Sequence, residues 1–282
     1  MLDRSAMRAG AVTAALVLTI SAAAAFDETK YPDWSGQWLR PPGVGFQWDP
    51  NKPPGLGQQA PLTPEYQAVL AASLADQAAG GQGGDRLVTC ISNGMPRMMT
   101  VAWPIEFVTL PNITYVNFHP FLPRRIYTDG RTWPAELEPS FSGYSIGKWL
   151  DTDGDGRFDT LEVETRNFKG PRVFEPSGIP LADDNESVVH ERIYLDKADP
   201  NILHNDITTV DHALTEPWLV KKTYRRFVSD KPVWFNHSVC GEGNMHVGIG
   251  SEVYMLSSDG LLMPTVKNQP PPDPRYFKRY ER

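Results

Sequence analysis

The stretch from Phe141 to Phe168 reads FSGYSIGKWLDTDGDGRFDTLEVETRNF and predicts two strands joined by an acidic loop. Its last part, Leu161 to Arg166, alternates in period 2 and carries β-branched residues, as a half-buried strand does. Its first part, Phe141 to Leu150, contains two glycines and no helical stripe. The stretch therefore favours a β-hairpin closed by a long polar loop.

The loop, Asp151 to Glu162, fits the pattern D-x-D-x-D-G-x5-E at every fixed position. Calcium takes oxygen ligands, and a glycine at the sixth position, here Gly156, allows the sharp turn that brings them together. An EF-hand with two helices and an acidic turn that binds no ion tightly are the alternatives. The predicted calcium ligands are the carboxylates of Asp151, Asp153, Asp155, Asp159 and Glu162 and the backbone carbonyl of Arg157.

The rest of the chain predicts a mainly β fold with one short N-terminal helix. Thr63-Pro64-Glu65 is a helix start, with a cap, a proline and an acid in order. Short strands with turns between them indicate an antiparallel meander that forms a barrel or a sandwich, and we favour a lipocalin-like barrel. Asp129-Gly130 is a hairpin signal. The predicted strands are 105–110, 114–119, 124–128, 142–149, 160–168, 187–195, 203–210, 217–227, 245–249 and 252–257.

The N-terminus reads as an export signal. Arg4 and Arg8 precede an apolar run that is too short to span a bilayer, and small residues end at Ala25. Residues 1–25 are thus a predicted signal peptide, with an uncleaved N-terminal anchor as the alternative. Residues 26–85 are a predicted proline-rich arm and helix, 86–264 a β domain and 265–282 an extended tail. We expect a periplasmic or secreted protein without a membrane span after signal removal, in which Cys90 and Cys240 form a disulfide or remain two buried thiols.

Charge and motifs exclude several classes. The formal net charge is −7 and becomes about −8 without residues 1–25, which argues against nucleic acid as a partner. The chain has no G-x-S-x-G elbow, P-loop or dinucleotide fingerprint. The oligomeric state is left open.

Two function classes remain, beside the possibility of a calcium-braced structural or envelope-assembly protein without a deep pocket. The first is an exported calcium-binding β-barrel that holds a small acidic or aromatic molecule. The second is a periplasmic lyase, isomerase or hydrolase in which a histidine moves the proton and an arginine steadies the anion. The candidate ligand-binding residues are Arg125, Tyr127, Arg131 and Arg192; the candidate catalytic residues are His190, His212 and His119.

Strand alternation leaves the location of these side chains open. In the strand 187–195, Val189, Glu191 and Ile193 share one face, whereas His190 and Arg192 share the other. A face with histidine and arginine is either solvent-exposed or lines a polar barrel interior. The alternative for the arginines is ordinary strand charge that forms cross-strand ion pairs.

Several segments resemble a widespread group of exported bacterial proteins without an established activity. They are Cys90 with Gly94-Met95-Pro96-Arg97, the segment Arg125–Arg131 (RIYTDGR), the segment Gly143–Trp149 (GYSIGKW) and Glu164-Thr165-Arg166. This resemblance implies export and a β fold and brings no catalytic residues. In addition, Ser35-Gly36-Gln37-Trp38 resembles the G-x-W start of lipocalin-like barrels.

Overall fold

A closed barrel of nine strands dominates the protein, and a separate sheet of three strands follows it. The computed structural model describes residues 26–41, 60–79, 83–84, 92–100, 103–118, 123–175, 177–228, 246–256 and 261–273. The barrel strands are β1 (Gln37–Leu39), β2 (Ile105–Leu110), β3 (Ile113–Phe118), β4 (Arg124–Tyr127), β5 (Tyr144–Leu150), β6 (Thr160–Arg166), β7 (Val188–Leu195), β8 (Ile202–Val210) and β9 (Trp218–Phe227). The small sheet contains β10 (His246–Ile249), β11 (Glu252–Leu256) and β12 (Leu262–Pro264).

The predicted mainly β barrel with one short helix is confirmed. Strand β1 closes the barrel, because Trp38 pairs with Ile105 of β2 on one side and with Arg226 of β9 on the other. The G-x-W segment thus stands at the first barrel strand. This segment lies within residues 26–85, which we predicted to form an arm and a helix. The barrel therefore includes residues before position 86.

One connection is not the hairpin that the sequence predicts. Strands β4 and β5 pair in parallel, with Ile126 opposite Ser145 and Tyr127 opposite Ile146. The hairpin prediction at Asp129-Gly130 is therefore wrong. Parallel neighbours need a long crossover, and residues 128–143, which contain two prolines, supply it. The barrel is consequently mixed, whereas lipocalin barrels have eight strands in up-and-down order.

The barrel interior is filled by side chains from alternate positions of the strands. Val189 and Ile193 of β7 are fully buried, and Leu161, Leu203 and Ile207 pack with them in the main core cluster. The alternation predicted for β7 is therefore present, with the Val189–Glu191–Ile193 face inside. His190 and Arg192 lie on the outer face, which is the first of the two alternatives that the sequence left open.

The helix α1 (Pro64–Ala78) packs beside the start of β9. Thr63 caps its N-terminus, and its hydroxyl accepts a hydrogen bond from the Tyr66 amide at 3.5 Å. Leu70 is buried against Phe174 and Trp218 in a second apolar cluster. None of the described helices is long and apolar enough to cross a membrane.

Candidate functional site

The acidic loop between β5 and β6 brings three carboxylates together. One oxygen each from Asp151, Asp153 and Asp159 lies within 4.8 Å of the others. These are positions 1, 3 and 9 of the calcium-loop pattern. The described part of the chain holds no second group of histidine, cysteine or acidic side chains with metal-binding geometry.

Local hydrogen bonds fix the shape of this loop. The carboxylate of Asp151 accepts from the amides of Gly154 at 2.7 Å, Asp155 at 3.2 Å and Gly156 at 2.9 Å. Gly154 and Gly156 have φ angles of +78° and +87°, a region that side chains other than glycine rarely adopt. The glycine predicted at position 6 thus does allow the tight turn.

The hydrogen bonds of Asp159 indicate whether the loop could bind a cation. Its Oδ2 accepts from the Thr152 amide at 3.1 Å and from the Thr152 hydroxyl at 2.6 Å. Its Oδ1 is buried without a hydrogen-bond partner. Burial raises the pKa of Asp159, but the hydrogen bonds from Thr152 help to outweigh it, and the pKa is held below its usual value. A charged carboxylate oxygen without a partner is costly, and a bound cation would satisfy it, so the site fits a metal ion.

Two other predicted ligands, Asp155 and Glu162, are outside the group of three carboxylates. Asp155 accepts from the Arg157 amide at 2.8 Å and is not part of the group of three. Glu162, at position 12, lies in β6 on the outer face, opposite Lys148 and Arg192. In an EF-hand this position returns to the ion from a helix; here a strand places it on the barrel surface.

An open cleft of about 880 Å³ lies beside the loop. Its acidic wall includes Asp153, Asp155 and Asp159 from the loop, and its other side includes Arg192 and Tyr194 from β7. The residues that line this cleft include five carboxylates (Asp153, Asp155, Asp159, Asp196 and Asp206) and three cationic side chains (Arg157, Arg192 and Lys197). The formal charge of the cleft lining is therefore −2.

A second open cleft of about 450 Å³ adjoins the first on the outer face of β5 to β8. The two clefts share Arg192 and Asp206 in their walls. His190 also lines the smaller cleft, and its Nδ1 lies 3.7 Å from a carboxylate oxygen of Glu164. Of the predicted site residues, the structure thus brings Arg192 and His190 together with the acidic loop along one outer surface.

The other predicted ligand-binding residues form a separate surface cluster. Arg125 is exposed on the outside of β4. The guanidinium of Arg131 lies 3.8 Å from the ring centroid of Tyr127, and the Tyr127 ring stacks on Tyr144 at 4.9 Å. Arg131 also pairs with Asp129 at 2.6 Å, and this hydrogen bond lowers the pKa of Asp129 to about 2. These contacts satisfy the arginine locally.

The two described candidate histidines have different partners: His190 lies beside Glu164, and His212 beside Asp184. His212 lies beyond β8, and its Nδ1 is 2.5 Å from a carboxylate oxygen of Asp184. This hydrogen bond raises the pKa of His212 above its usual value. His119, and the cysteines Cys90 and Cys240 of the predicted disulfide, lie outside the described residues.

Sequence reasoning missed two features of this region. Tyr194 and Asp206 line the larger cleft, and period-2 alternation already places Tyr194 on the face of Arg192. Arg124, next to the predicted Arg125, is the arginine that points into the barrel, where it pairs with Glu191. The sequence contained a signal for this difference: in a strand, Arg124 shares a face with the apolar Ile126, whereas Arg125 lies on the opposite face.

Comparisons with known proteins add no family. No protein-family model matches the sequence, and neither the curated proteins nor the solved structures give a match.

Proposed function

We propose that this is an exported calcium-binding β-barrel protein that binds a small acidic molecule on its outer surface. The observation that carries the proposal is the convergence of Asp151, Asp153 and Asp159 within 4.8 Å, in a loop whose sequence matches the calcium pattern. The barrel interior is packed with side chains. The open cleft beside the loop is therefore the better place for a ligand.

Calcium suits this site because all its donors are oxygens. The group of three carboxylates includes no histidine or cysteine, and hard oxygen ligands favour Ca²⁺ or Mg²⁺ over softer transition metals. Calcium accepts six to eight ligands in flexible geometry, whereas Mg²⁺ demands near-ideal octahedral geometry. Asp151 and Asp153 are exposed, so water can complete the flexible coordination shell that calcium accepts.

The loop's surroundings support a bracing role for the ion. The Phe158 amide donates to the Lys30 carbonyl at 2.7 Å, and the Asp159 amide donates to the Leu150 carbonyl at 2.9 Å. The loop therefore joins β5 to the N-terminal segment. A cation that binds only the folded loop stabilises the whole protein by mass action.

Export is supported by the basic start, the short apolar run and the small residues that end at Ala25. Expression of the full chain, followed by fractionation and mass measurement, tests it. We expect the periplasmic or secreted fraction to contain a chain that begins near Phe26. An intact N-terminus in the cytoplasmic fraction would contradict export.

The test of calcium binding is a thermal melt of the purified protein with added calcium and with excess chelator. Wild type should melt at a higher temperature in calcium. Asp151→Asn with Asp153→Asn keeps hydrogen-bond acceptors but removes two charges, so its melting temperature should not respond to calcium. Asp129→Asn, in an exposed turn outside the loop, is the matched control and should respond as wild type does. If wild type has the same melting temperature in calcium and in chelator, the proposed calcium site is wrong.

A further inference from the structure

The turn between β7 and β8 places a lysine beside the acidic loop. The Nζ atom of Lys197 lies 3.6 Å from a carboxylate oxygen of Asp153, which is one of the three converging carboxylates. Burial raises the pKa of Asp159, and the positive charge of Lys197 is among the causes that lower it. One ammonium group therefore acts on two of the three carboxylates.

Hydrogen bonds fix the turn that carries this lysine. One carboxylate oxygen of Asp196 accepts from the amides of Ala198 at 2.8 Å and Asp199 at 3.0 Å. The other oxygen lies 3.1 Å from Nε2 of His204 in β8. The backbone of the turn is thus held beside the loop, whereas the side chain of Lys197 is 79% exposed and free to swing away.

The contact between Lys197 and Asp153 spans the larger cleft. The loop contributes Asp153 and Asp159 to the lining of this cleft, and the turn contributes Lys197 and Pro200. Within the described ranges, no other ion pair or hydrogen bond joins residues 151–159 to residues 196–201. The lysine is therefore the one cationic group that reaches from the turn to the carboxylates of the loop.

An ammonium group and a divalent cation compete for the same carboxylate oxygens. Calcium needs the oxygens of the loop as ligands, and a positive charge a few ångströms from the ion opposes its binding even in water. The ion pair itself is exposed on both sides, and such pairs contribute little to stability. A divalent cation can therefore displace the lysine, and the repulsion between them lowers the affinity of the site.

We propose that Lys197 is a tethered competitor of calcium: it occupies Asp153 in the calcium-free protein, is displaced when the ion binds, and sets the affinity of the site. This inference rests on the proposed calcium-binding function and adds its regulation. Without the ion, the lysine offsets part of the repulsion among the three carboxylates. The site then responds at a higher calcium concentration than the carboxylates alone would require.

Calorimetric titration of calcium into the protein at low ionic strength tests this role. Lys197→Gln should bind calcium about threefold to tenfold more tightly than wild type, and the difference should shrink at about 0.5 M salt, because it is electrostatic. Lys197→Arg keeps the charge and should bind as wild type does. Lys221→Gln removes the same charge from β9, outside the cleft lining, and is the matched control.

Thermal melts of the same proteins test the role of the lysine without the ion. In excess chelator, Lys197→Gln should melt below Lys221→Gln, since its three carboxylates have lost the cation that offsets their repulsion. In calcium, the ion takes over this role and binds more tightly to Lys197→Gln. The calcium-dependent rise in melting temperature should therefore be larger for Lys197→Gln than for wild type or Lys221→Gln.

The outcomes separate this inference from the calcium site itself. Equal calcium affinities of wild type and Lys197→Gln, or tighter binding by Lys197→Arg as well, overturn the role of Lys197 and leave the calcium site standing. Binding by Lys197→Gln but not by wild type supports the competition in its strongest form. Absence of calcium binding in both overturns the calcium-binding function and this inference with it.

Discussion

At the scale of single residues, the ion pair of Arg124 and Glu191 is buried in the barrel and has a large energetic consequence. The side chains of Arg124 and Glu191 are 1% and 0% exposed. Arg124 also donates to Ser145 at 3.2 Å and to Thr165 at 2.8 Å, and Asn205 donates to Glu191 at 2.9 Å. Both charges are thus paired and hydrogen-bonded, which is the condition under which buried charges are tolerated.

Glu191→Gln should destabilise the protein by about 3–5 kcal/mol, because it leaves the Arg124 charge buried without its counterion. The double variant Arg124→Met with Glu191→Leu should recover most of this loss, since apolar side chains of similar volume replace both charges. Urea unfolding gives the free energies of unfolding. The control is Arg166→Gln, which breaks the exposed pair with Glu164 and should cost less than about 1 kcal/mol. A cost for Glu191→Gln no larger than that of the control would contradict the prediction.

At the scale of elements, the parallel contact between β4 and β5 is, with the contact between β1 and β2, one of the two narrowest parts of the barrel wall. Only two register pairs join these strands, Ile126 with Ser145 and Tyr127 with Ile146. The Arg124 network lies across this contact, because Arg124 of β4 donates to Ser145 of β5. Gly147 of β5 lets Ile126 approach closely: a Cβ at Gly147 would lie 2.7 Å from Ile126 Cγ2.

Gly147→Ala should therefore weaken the β4–β5 contact. The new methyl group would also lie 3.1 Å from Leu161 Cδ1, so two core side chains must move, at a cost of about 1–3 kcal/mol. Chemical denaturation measures the change in the free energy of unfolding. Gly84→Ala is a suitable control, because its Cβ would meet nothing closer than 3.4 Å. If both variants unfold at the same denaturant concentration, the close packing of Gly147 against Ile126 does not contribute to the stability of the β4–β5 contact.

Most elements could be predicted from the sequence, because alternation and turn residues are local signals. Strand β2 has the predicted bounds, Ile105–Leu110, and β7 to β9 begin within one residue of the predicted positions. The β4–β5 pairing could not be predicted, since Asp129-Gly130 signals a turn but not whether the next strand returns beside β4 or crosses over. Strand β1 was missed because three residues give too short a pattern.

The candidate site was predictable only where its residues are close in sequence. The motif identified Asp151, Asp153 and Asp159, which do converge. The motif also suggested Glu162. In an EF-hand a helix carries this residue back to the ion, whereas here Glu162 lies in a strand. The contribution of Asp206 to the cleft arises from strand register, with Arg192 opposite Asp206. A single sequence contains no local signal for such pairings.

At the scale of the whole molecule, the N-terminal segment and the acidic loop are packed together at the barrel. The Tyr31 ring lies 5.2 Å from Trp149 at the end of β5 and 5.1 Å from Phe158 in the loop. The Lys30 carbonyl accepts the Phe158 amide at 2.7 Å. Order in the first residues of the described chain should therefore support the geometry of the loop.

Tyr31→Ala should lower both the stability and the response to calcium. The variant loses three ring contacts, with Phe26, Trp149 and Phe158, and this loss should cost about 1–3 kcal/mol. A looser loop should also bind the ion more weakly, which reduces the calcium-dependent rise in melting temperature. Thermal melts in calcium and in chelator measure both effects at once. Tyr31→Phe should retain them, since the contacts use the ring, and Tyr115→Ala on the outer face of β3 should lower stability without changing the calcium response. If Tyr31→Ala loses stability but gains as much from calcium as wild type does, the loop holds its ion independently of the N-terminal segment.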